Sequence, residues 1–411
     1  MEQISSILQS QSVVYVTRDI ERALGLPADT PGYSIIANAG TFANAVKNDR
    51  TDIHLLPTDT SLDTYQLLQN TVTQNLLPRG ANILVFKNTP FIEKICRSRG
   101  WRLLNPPAKL GNQIEEKISQ ISWLGELARY LPEHRVLTCE KITWSGRPFV
   151  VQFNHAHSGG GTILITNPEQ LAVWQKQFPK REARLLQYIS GPVFTNNNVV
   201  TSAKTLIGNI SYQITGLPPF TDRPFATIGN DWGLPQKLLS ATQYRQYREM
   251  IQAIGDRLRQ DGWRGLFGVD IIMDEKTGQL YLLEINARQP ASTTFESQRQ
   301  LLTTTTTDAT LTTFAAHIAA LLGVGLEKNN LIPIKDGAQI ILRRQKNYAT
   351  REITSLIKEL EIQGLTVIPY DNPATGSEWL RIQSPVSLLS APGILNTAGK
   401  KIRQTVQLFL S

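Results

Sequence analysis

Two acidic residues stand inside apolar, strand-like runs of one short stretch, a placement that costs free energy unless each is paired or holds a cation. In Gly265 to Arg288, GLFGVDIIMDEKTGQLYLLEINAR, Asp270 interrupts the run Leu266, Val269 and Ile271 to Met273, and Glu284 interrupts Leu280 to Ile285. Asp274 to Gly278 carries turn chemistry, so the runs are expected to fold as an antiparallel hairpin. That hairpin brings Asp270, Glu284 and Asn286 together. Oxygen donors with no His or Cys beside them suit a hard ion such as Mg²⁺, which takes one or two carboxylates plus substrate phosphates. Arg288 adds a planar, permanently charged fork suited to phosphate or carboxylate. By spacing alone, a hairpin whose acids are merely solvated at the strand ends is an equally good reading.

The same segment, GVDIIMD followed by GQLYLLEINAR, resembles the metal-binding signature of the ATP-grasp superfamily of carboxylate–amine ligases. In that family an acidic residue and then Glu-x-Asn hold magnesium ions that bridge the phosphates of ATP. The resemblance covers Gln113 to Ala320 and is strongest at the hairpin. Matched residue by residue, it implies Asp270, Glu284 and Asn286 as metal ligands and Arg288 as the catalytic group beside the transferred phosphate. ATP and two Mg²⁺ ions are the implied cofactors, with Mn²⁺ able to substitute. Lys117 matches the family lysine that reaches an ATP phosphate, although a solvated surface lysine is nearly as good a reading. Gly159, Gly160 and Gly161, followed by Thr162, fall where the family carries its phosphate-covering loop; consecutive glycines let backbone N–H groups approach an anion. Taken alone, a triple glycine is equally a flexible hairpin loop. Gln187, Tyr188 and Ile189 occupy the hinge that reads adenine through the backbone.

One position departs from the pattern. Many family members carry a lysine on the strand before the glycine loop, and Gln152 stands there instead. An amide can hydrogen-bond a phosphate oxygen but supplies no full charge, so the charge would fall to Lys117, Arg288 or a lysine elsewhere. His155 and His157 flank the loop without further ligands at metal spacing. Asp231 and Trp232, in the turn-rich segment Pro224 to Gln236, are candidates for a substrate loop, with a buried Trp anchoring that loop as the commoner outcome. Ser292, Thr293 and Glu296 follow Arg288 closely enough to touch phosphate or acceptor.

The elements that must position these groups read as α/β and α+β parts of a multidomain chain. Over residues 1–107, VVYV at Val13 to Val16, YSIIAN at Tyr33 to Asn38, DIHLLP at Asp52 to Pro57 and ANILVF at Ala81 to Phe86 alternate with helical stretches, which predicts a parallel α/β domain. No Gly-x-Gly-x-x-Gly follows its first strand, so the dinucleotide fingerprint is absent. Residues 108–325 are assigned to a two-lobed ATP-grasp domain, with a lid-bearing lobe over 108–190 and a metal-binding lobe over 191–325. An apolar stripe predicts one helix over Gln113 to Leu131. Further helices are expected over Pro168 to Phe178 and Leu238 to Gln260, the latter the longest. Asn196 to Asn198 reads as a turn or a ribose contact, and Asp308, after the Thr303 to Thr307 loop, as a helix cap. Residues 326–411 read as a small C-terminal α+β cap, with Arg343, Arg344 and Lys346 at the end of its first strand.

Composition narrows the classes. The 411 residues are 41% hydrophobic and 18% charged, as in soluble globular proteins, and no apolar run is long enough to cross a bilayer. A cytoplasmic address and no membrane partner are expected. Two cysteines, Cys96 and Cys139, do not make a disulfide framework. The net charge of +8 is scattered over Lys and Arg rather than gathered in one block, so no specific nucleic-acid partner is expected; the basicity suits phosphorylated or carboxylate ligands. With no heptad seam, the oligomeric state is open and a homodimer is among the allowed forms. What the resemblance implies is an ADP-forming ligase that joins a small carboxylate to an amine through an acyl phosphate. A catalytically weakened ATP-binding module, prompted by Gln152, and an ATP-dependent small-molecule kinase are the alternatives.

Overall fold

A computed structural model describes residues 2–57, 60–154, 161–224, 226–303, 309–344, 350–370 and 375–410. The expectations for His155, His157, Gly159, Gly160, Thr304 to Asp308 and Lys346 lie outside the described residues. Strands β1 (Val13–Val16), β2 (Tyr33–Asn38), β3 (Ile53–Leu56), β4 (Asn82–Val85) and β5 (Arg102–Leu103) form one parallel sheet in the order 3-2-1-4-5. Burial on both faces explains the nearly continuous Val, Ile and Leu of these strands.

The predicted helix over Gln113 to Leu131 is instead three pieces: helices Ala108–Glu115 and Ser119–Leu124, then a 3₁₀ segment Gly125–Tyr130. Glu116 is extended (φ −70°, ψ 129°), and Gly125, at φ 56°, closes the second helix in a conformation that residues with a side chain rarely adopt. Asn154 holds the first break open. Its Oδ1 accepts the Ile118 N–H at 2.9 Å while its Nδ2 donates to Glu116 at 2.9 Å. The apolar stripe was legible, but a long-range amide clamp is invisible to local periodicity.

Strands β6 (His134–Thr138), β7 (Phe149–Gln152), β8 (Thr162–Ile165) and β9 (Glu182–Gln187) form an antiparallel sheet in the order 6-9-7-8. Helix Pro168–Gln177 packs on it through Leu171, its first turn closed by Asn167 accepting from the Gln170 N–H. This is the sheet on which a lid is expected.

A larger sheet carries β10 (Val193–Val200), β11 (Thr205–Leu206), β12 (Ser211–Thr215), β13 (Thr227–Asp231), β14 (Gly265–Met273) and β15 (Leu280–Asn286). A short parallel pair, β16 (Thr310–Leu311) with β17 (Asn330–Leu331), lies apart from it. The large sheet then continues through β18 (Ala338–Arg343), β19 (Thr366–Pro369) and β20 (Glu378–Ser384), in the order 15-14-10-12-13-18-20-19 with β11 beside β10. The strands expected of a separate cap therefore extend the sheet that carries β14 and β15, β18 pairing antiparallel with β13. Helix Ala241–Gln260 crosses the sheet with Tyr247, Met250, Ile251, Ile254 and Leu258 inward, at the three- and four-residue spacing of one helical face. Each such side chain contributes roughly 1.5–3 kcal/mol on burial. Ser240 and Gln243 cap that helix reciprocally. Thr312, through its bond from the Ala315 N–H, caps helix Thr313–Leu321.

Two segments differ from expectation in the same sheet. Asn196 to Asn198 lies in the middle of β10, not in a turn: Asn196 and Asn198 exchange side-chain hydrogen bonds at 2.7 and 2.9 Å on one face, and Asn197 bonds Glu296 and Ser292 on the other. Thr227 to Asp231, read as loop, is strand β13, buried from Ile228 onward. Its glycine is not a turn residue. A side chain on Gly229 would collide with the Gln339 carbonyl of β18.

Candidate active site

The hairpin forms as the sequence indicates. Asp270 of β14 faces Glu284 of β15, and Gly268 faces Asn286. The register then skips Leu283, a bulge that leaves this residue out of the ladder. Asp274 builds the turn by accepting the Lys276 and Thr277 N–H groups at 2.7 and 3.2 Å. Asn286 Nδ2 lies 3.5 Å from Asp270 Oδ2, and Thr195 of β10 also bonds Asp270. Three side chains carrying hard oxygen donors thus converge on one face, a set that fits Mg²⁺.

Cations surround them. Lys117, at the break between the two short helices, reaches Glu284 Oε2 at 2.5 Å. Arg288 donates to Asn286 Oδ1 at 2.8 Å and pairs with Glu115 at 3.3 Å; Lys87 closes on the other Glu115 oxygen. Two guanidinium groups lie over the Phe86 ring, Arg22 at 4.9 Å and Arg288 at 5.8 Å from its centre, so a residue just after β4 helps hold Arg288. Burial and the neighbouring Glu284 raise the Asp270 carboxyl above its ordinary value. Burial works to raise Glu284 as well, but Lys117 and Arg288 outweigh it and hold that carboxyl below the ordinary value. As pH falls, the pair therefore takes its first proton on Asp270.

From the lid sheet, Gln152 of β7 stands opposite Arg184 of β9 and does not face the cleft alone. Its Oε1 accepts from Arg184 at 3.0 and 2.6 Å, and its Nε2 donates to Thr162 at 3.2 Å. Gly161 is buried, its carbonyl accepting the Phe153 N–H at 3.0 Å. At the hinge, the Gln187 N–H is taken by the Glu133 carbonyl at 2.8 Å, Tyr188 is exposed and Ile189 is buried.

Other expected contacts are placed elsewhere. Asp231 is fully buried, its carboxylate accepting from the Gly233, Leu234, Leu388 and Leu389 N–H groups and from Ser387, so it anchors loops instead of meeting a substrate. Trp232 is buried against Phe295, as a loop anchor. Ser292, Thr293 and Glu296 lie inside a polar network rather than in the cleft: Glu296 accepts from Asn197, from Asn209 at 2.9 Å and from Thr313 at 3.1 Å. Burial pushes the Glu296 carboxyl up to about 7, against those hydrogen bonds.

Sequence reading missed Arg184, Gln120, Glu115 and Lys87. Arg184 left a signal, a charge inside the otherwise apolar run AlaArgLeuLeu at 183–186, but Lys87 and Glu115 sit in ordinary polar surroundings.

The fold has known counterparts. Solved structures matching nearly the whole chain include N5-carboxyaminoimidazole synthetase from Staphylococcus aureus, at 13% identity and a TM-score of 0.64 over 98% of both chains. A carboxyaminoimidazole ribonucleotide synthase from Aspergillus clavatus complexed with ATP matches at 13% identity and a TM-score of 0.64, again over 98% of both. An L-amino acid ligase from Bacillus licheniformis matches at 13% and a TM-score of 0.61 over 97% of both. No protein-family model and no curated protein sequence matches the chain. The chain therefore shares its fold with these synthetases and ligases over nearly its whole length.

Proposed function

We propose that the chain is an ATP-dependent, ADP-forming ligase that activates a small carboxylate as an acyl phosphate and passes it to an amine. The observation that carries this reading is the convergence of Asp270, Glu284 and Asn286 on one face beneath Lys117 and Arg288, within a fold whose solved counterparts include ligases and synthetases. Bound Mg²⁺, held by those three residues, would neutralise the phosphates. For the metal to be held, Lys117 must leave Glu284 and Arg288 must leave Asn286. Both cations, which would otherwise occupy the metal's own oxygens, are then free to meet the phosphate oxygens.

Arg288, braced by Phe86 and Glu115, would stabilise charge on the moving phosphoryl group, and Lys117 would hold the phosphates from the other side. Gly161 and Thr162, with the loop before them, would cover the nucleotide and exclude water. Tyr188 and Ile189 would offer their backbone to adenine. No side-chain nucleophile is needed, since the carboxylate substrate itself attacks the terminal phosphorus and the amine then displaces phosphate from the acyl carbon. We assign residues 1–107, 108–325 and 326–411 to the second-substrate, nucleotide and closing parts of such an enzyme, working in the cytoplasm. Among the described residues no helix is long and apolar enough to cross a membrane.

The test is ADP release across pooled amino acids, polyamines and small carboxylates. The ligase reading requires ADP formation that depends on both a carboxylate and an amine, with a phosphate-free amide as product. A phosphorylated final product would select a kinase instead, and nucleotide binding with no turnover on any pool would select a weakened binding module.

A further inference from the structure

Arg184 is fully buried, yet its guanidinium meets only neutral acceptors. Nε and Nη2 donate to Gln152 Oε1 at 3.0 and 2.6 Å, Nη1 to Gln120 Oε1 at 3.1 Å, and Nη2 also lies 3.4 Å from the Leu283 carbonyl. Among the described residues no carboxylate forms an ion pair with it. Arg381, likewise fully buried, is paired with Glu378 at 3.0 Å and Glu21 at 3.5 Å. A guanidinium desolvated without a counter-charge loses hydration that amide oxygens return only in part. Burial accordingly pushes Arg184 down to about 10, opposed by the field of Glu284.

Its location says what would complete it. Arg184 belongs to the lid sheet, but its long contact is to Leu283, the bulge residue immediately before Glu284. It therefore crosses from one lobe to the other beside Lys117 and the metal-type carboxylates. At 3.4 Å the Leu283 contact is the longest of the four, and its replacement by an anionic oxygen would cost least. Gln152 is turned so that its oxygen faces Arg184, because its amide nitrogen is engaged by Thr162. A lysine at 152 would confront Arg184 with a second buried cation.

We propose that Arg184 is a phosphate-binding cation of this cleft, held by Gln152 and Gln120 and directed at the polyphosphate of a nucleoside triphosphate, so that Gln152 and Arg184 together replace a strand lysine. This rests on the nucleotide reading above. The charge has moved one strand across the sheet, from β7 to β9, and the glutamine has become its holder.

The experiment is titration of the full chain with MgATP by calorimetry, with melting temperatures recorded for each variant. Arg184→Gln should weaken binding by about 10- to 100-fold, the range of a lost charge-assisted hydrogen bond to phosphate, and Arg184→Lys should lie between it and the unaltered chain. Gln152→Lys combined with Arg184→Gln should return affinity to within about threefold, because the charge is restored from the neighbouring strand. Unaltered affinity in Arg184→Gln, or a folded double variant as weak as the single one, overturns the proposal alone. An unaltered chain that binds no MgATP overturns the nucleotide reading and this inference with it. Should Arg184→Gln fail to fold, Gln152→Lys by itself decides: two adjacent cations should lower the melting temperature of the free protein and enlarge the rise on adding MgATP, and a rise no larger than that of the unaltered chain refutes the proposal.

Discussion

Glu284 and Asp270 differ in charge preference although they face each other across one hairpin, and the difference lies in which cation each one meets. Lys117 bonds Glu284 directly, whereas Asp270 has Thr195 and a distant Asn286 amide. Asp270→Asn and Glu284→Gln should each lower ADP formation by about 100-fold or more while leaving the melting temperature near that of the unaltered chain; a fully active Glu284→Gln protein would contradict the assignment. Glu296 offers a separate test by stability. Its folded-state pKa, about 7, lies above the ordinary 4.5, so the protonated form is favoured on folding. The stabilisation it brings is complete below pH 4.5 and is lost as pH rises through 7. Integrated, this amounts to about 3 kcal/mol at most. Glu296→Gln, uncharged throughout, should therefore gain on the unaltered chain in chemical denaturation as pH moves from 5 to 8, and parallel profiles would refute the shift. At this scale the hairpin acids, Asn286, Arg288 and Lys117 were legible because charge inside an apolar run or beside a signature is conspicuous. Glu296 and Asp231 misled for the converse reason: their acidity was visible and the donors that bury them were not.

The elements that hold these side chains depend on a few backbone demands. Gly265 opens β14 at φ 87°, and a methyl there would stand 2.6 Å from His317 Nδ1, the atom that accepts the Leu266 N–H at 3.0 Å. Burial drives His317 down to about 3, so it stays neutral and can serve as that acceptor. Gly265→Ala should cost about 2 kcal/mol or more in stability, combining positive-φ strain with a displaced hydrogen bond, and denaturant unfolding with less than a few tenths of that loss would contradict it. The parallel strands of the first domain and the long helix were readable from alternation and from 3.6-residue periodicity. β13 was not, because Gly229, Asn230 and Asp231 look like turn residues. Their composition answers instead to the close approach of β18 and to buried hydrogen bonds, of which Gln339 Nε2 to Asn230 Oδ1 at 3.2 Å is one. The helix break at Glu116 escaped notice because its cause, Asn154, lies 38 residues further along the chain, just after β7.

In the whole molecule, one sheet runs from the β14–β15 hairpin to the C-terminal strands, and the side chains of β18 and β20 are part of its core. Ile340, Leu342, Trp379, Leu380 and Ile382 are buried in the same cluster as Phe267, Val269 and Ile285 behind the hairpin. The sequence showed a change of composition near Leu331 and so indicated a separate cap, since strand pairing between distant segments leaves no local mark. A chain ending at Ile334 should therefore expose β13 as a raw sheet edge and fail to fold cooperatively; a soluble product with a sharp melting transition would show that the last segment is independent after all. The most direct measurement of the central claim is a crystal structure with a non-hydrolysable ATP analogue and Mg²⁺. The account predicts a metal ion with oxygens of Asp270, Glu284 and Asn286 at about 2.1 Å, Lys117 and Arg288 released from Glu284 and Asn286 onto the phosphates, and the nucleotide between the lid sheet and the hairpin. A bound analogue whose phosphates lie elsewhere, with Lys117 still on Glu284 and no ion at the three side chains, would contradict it.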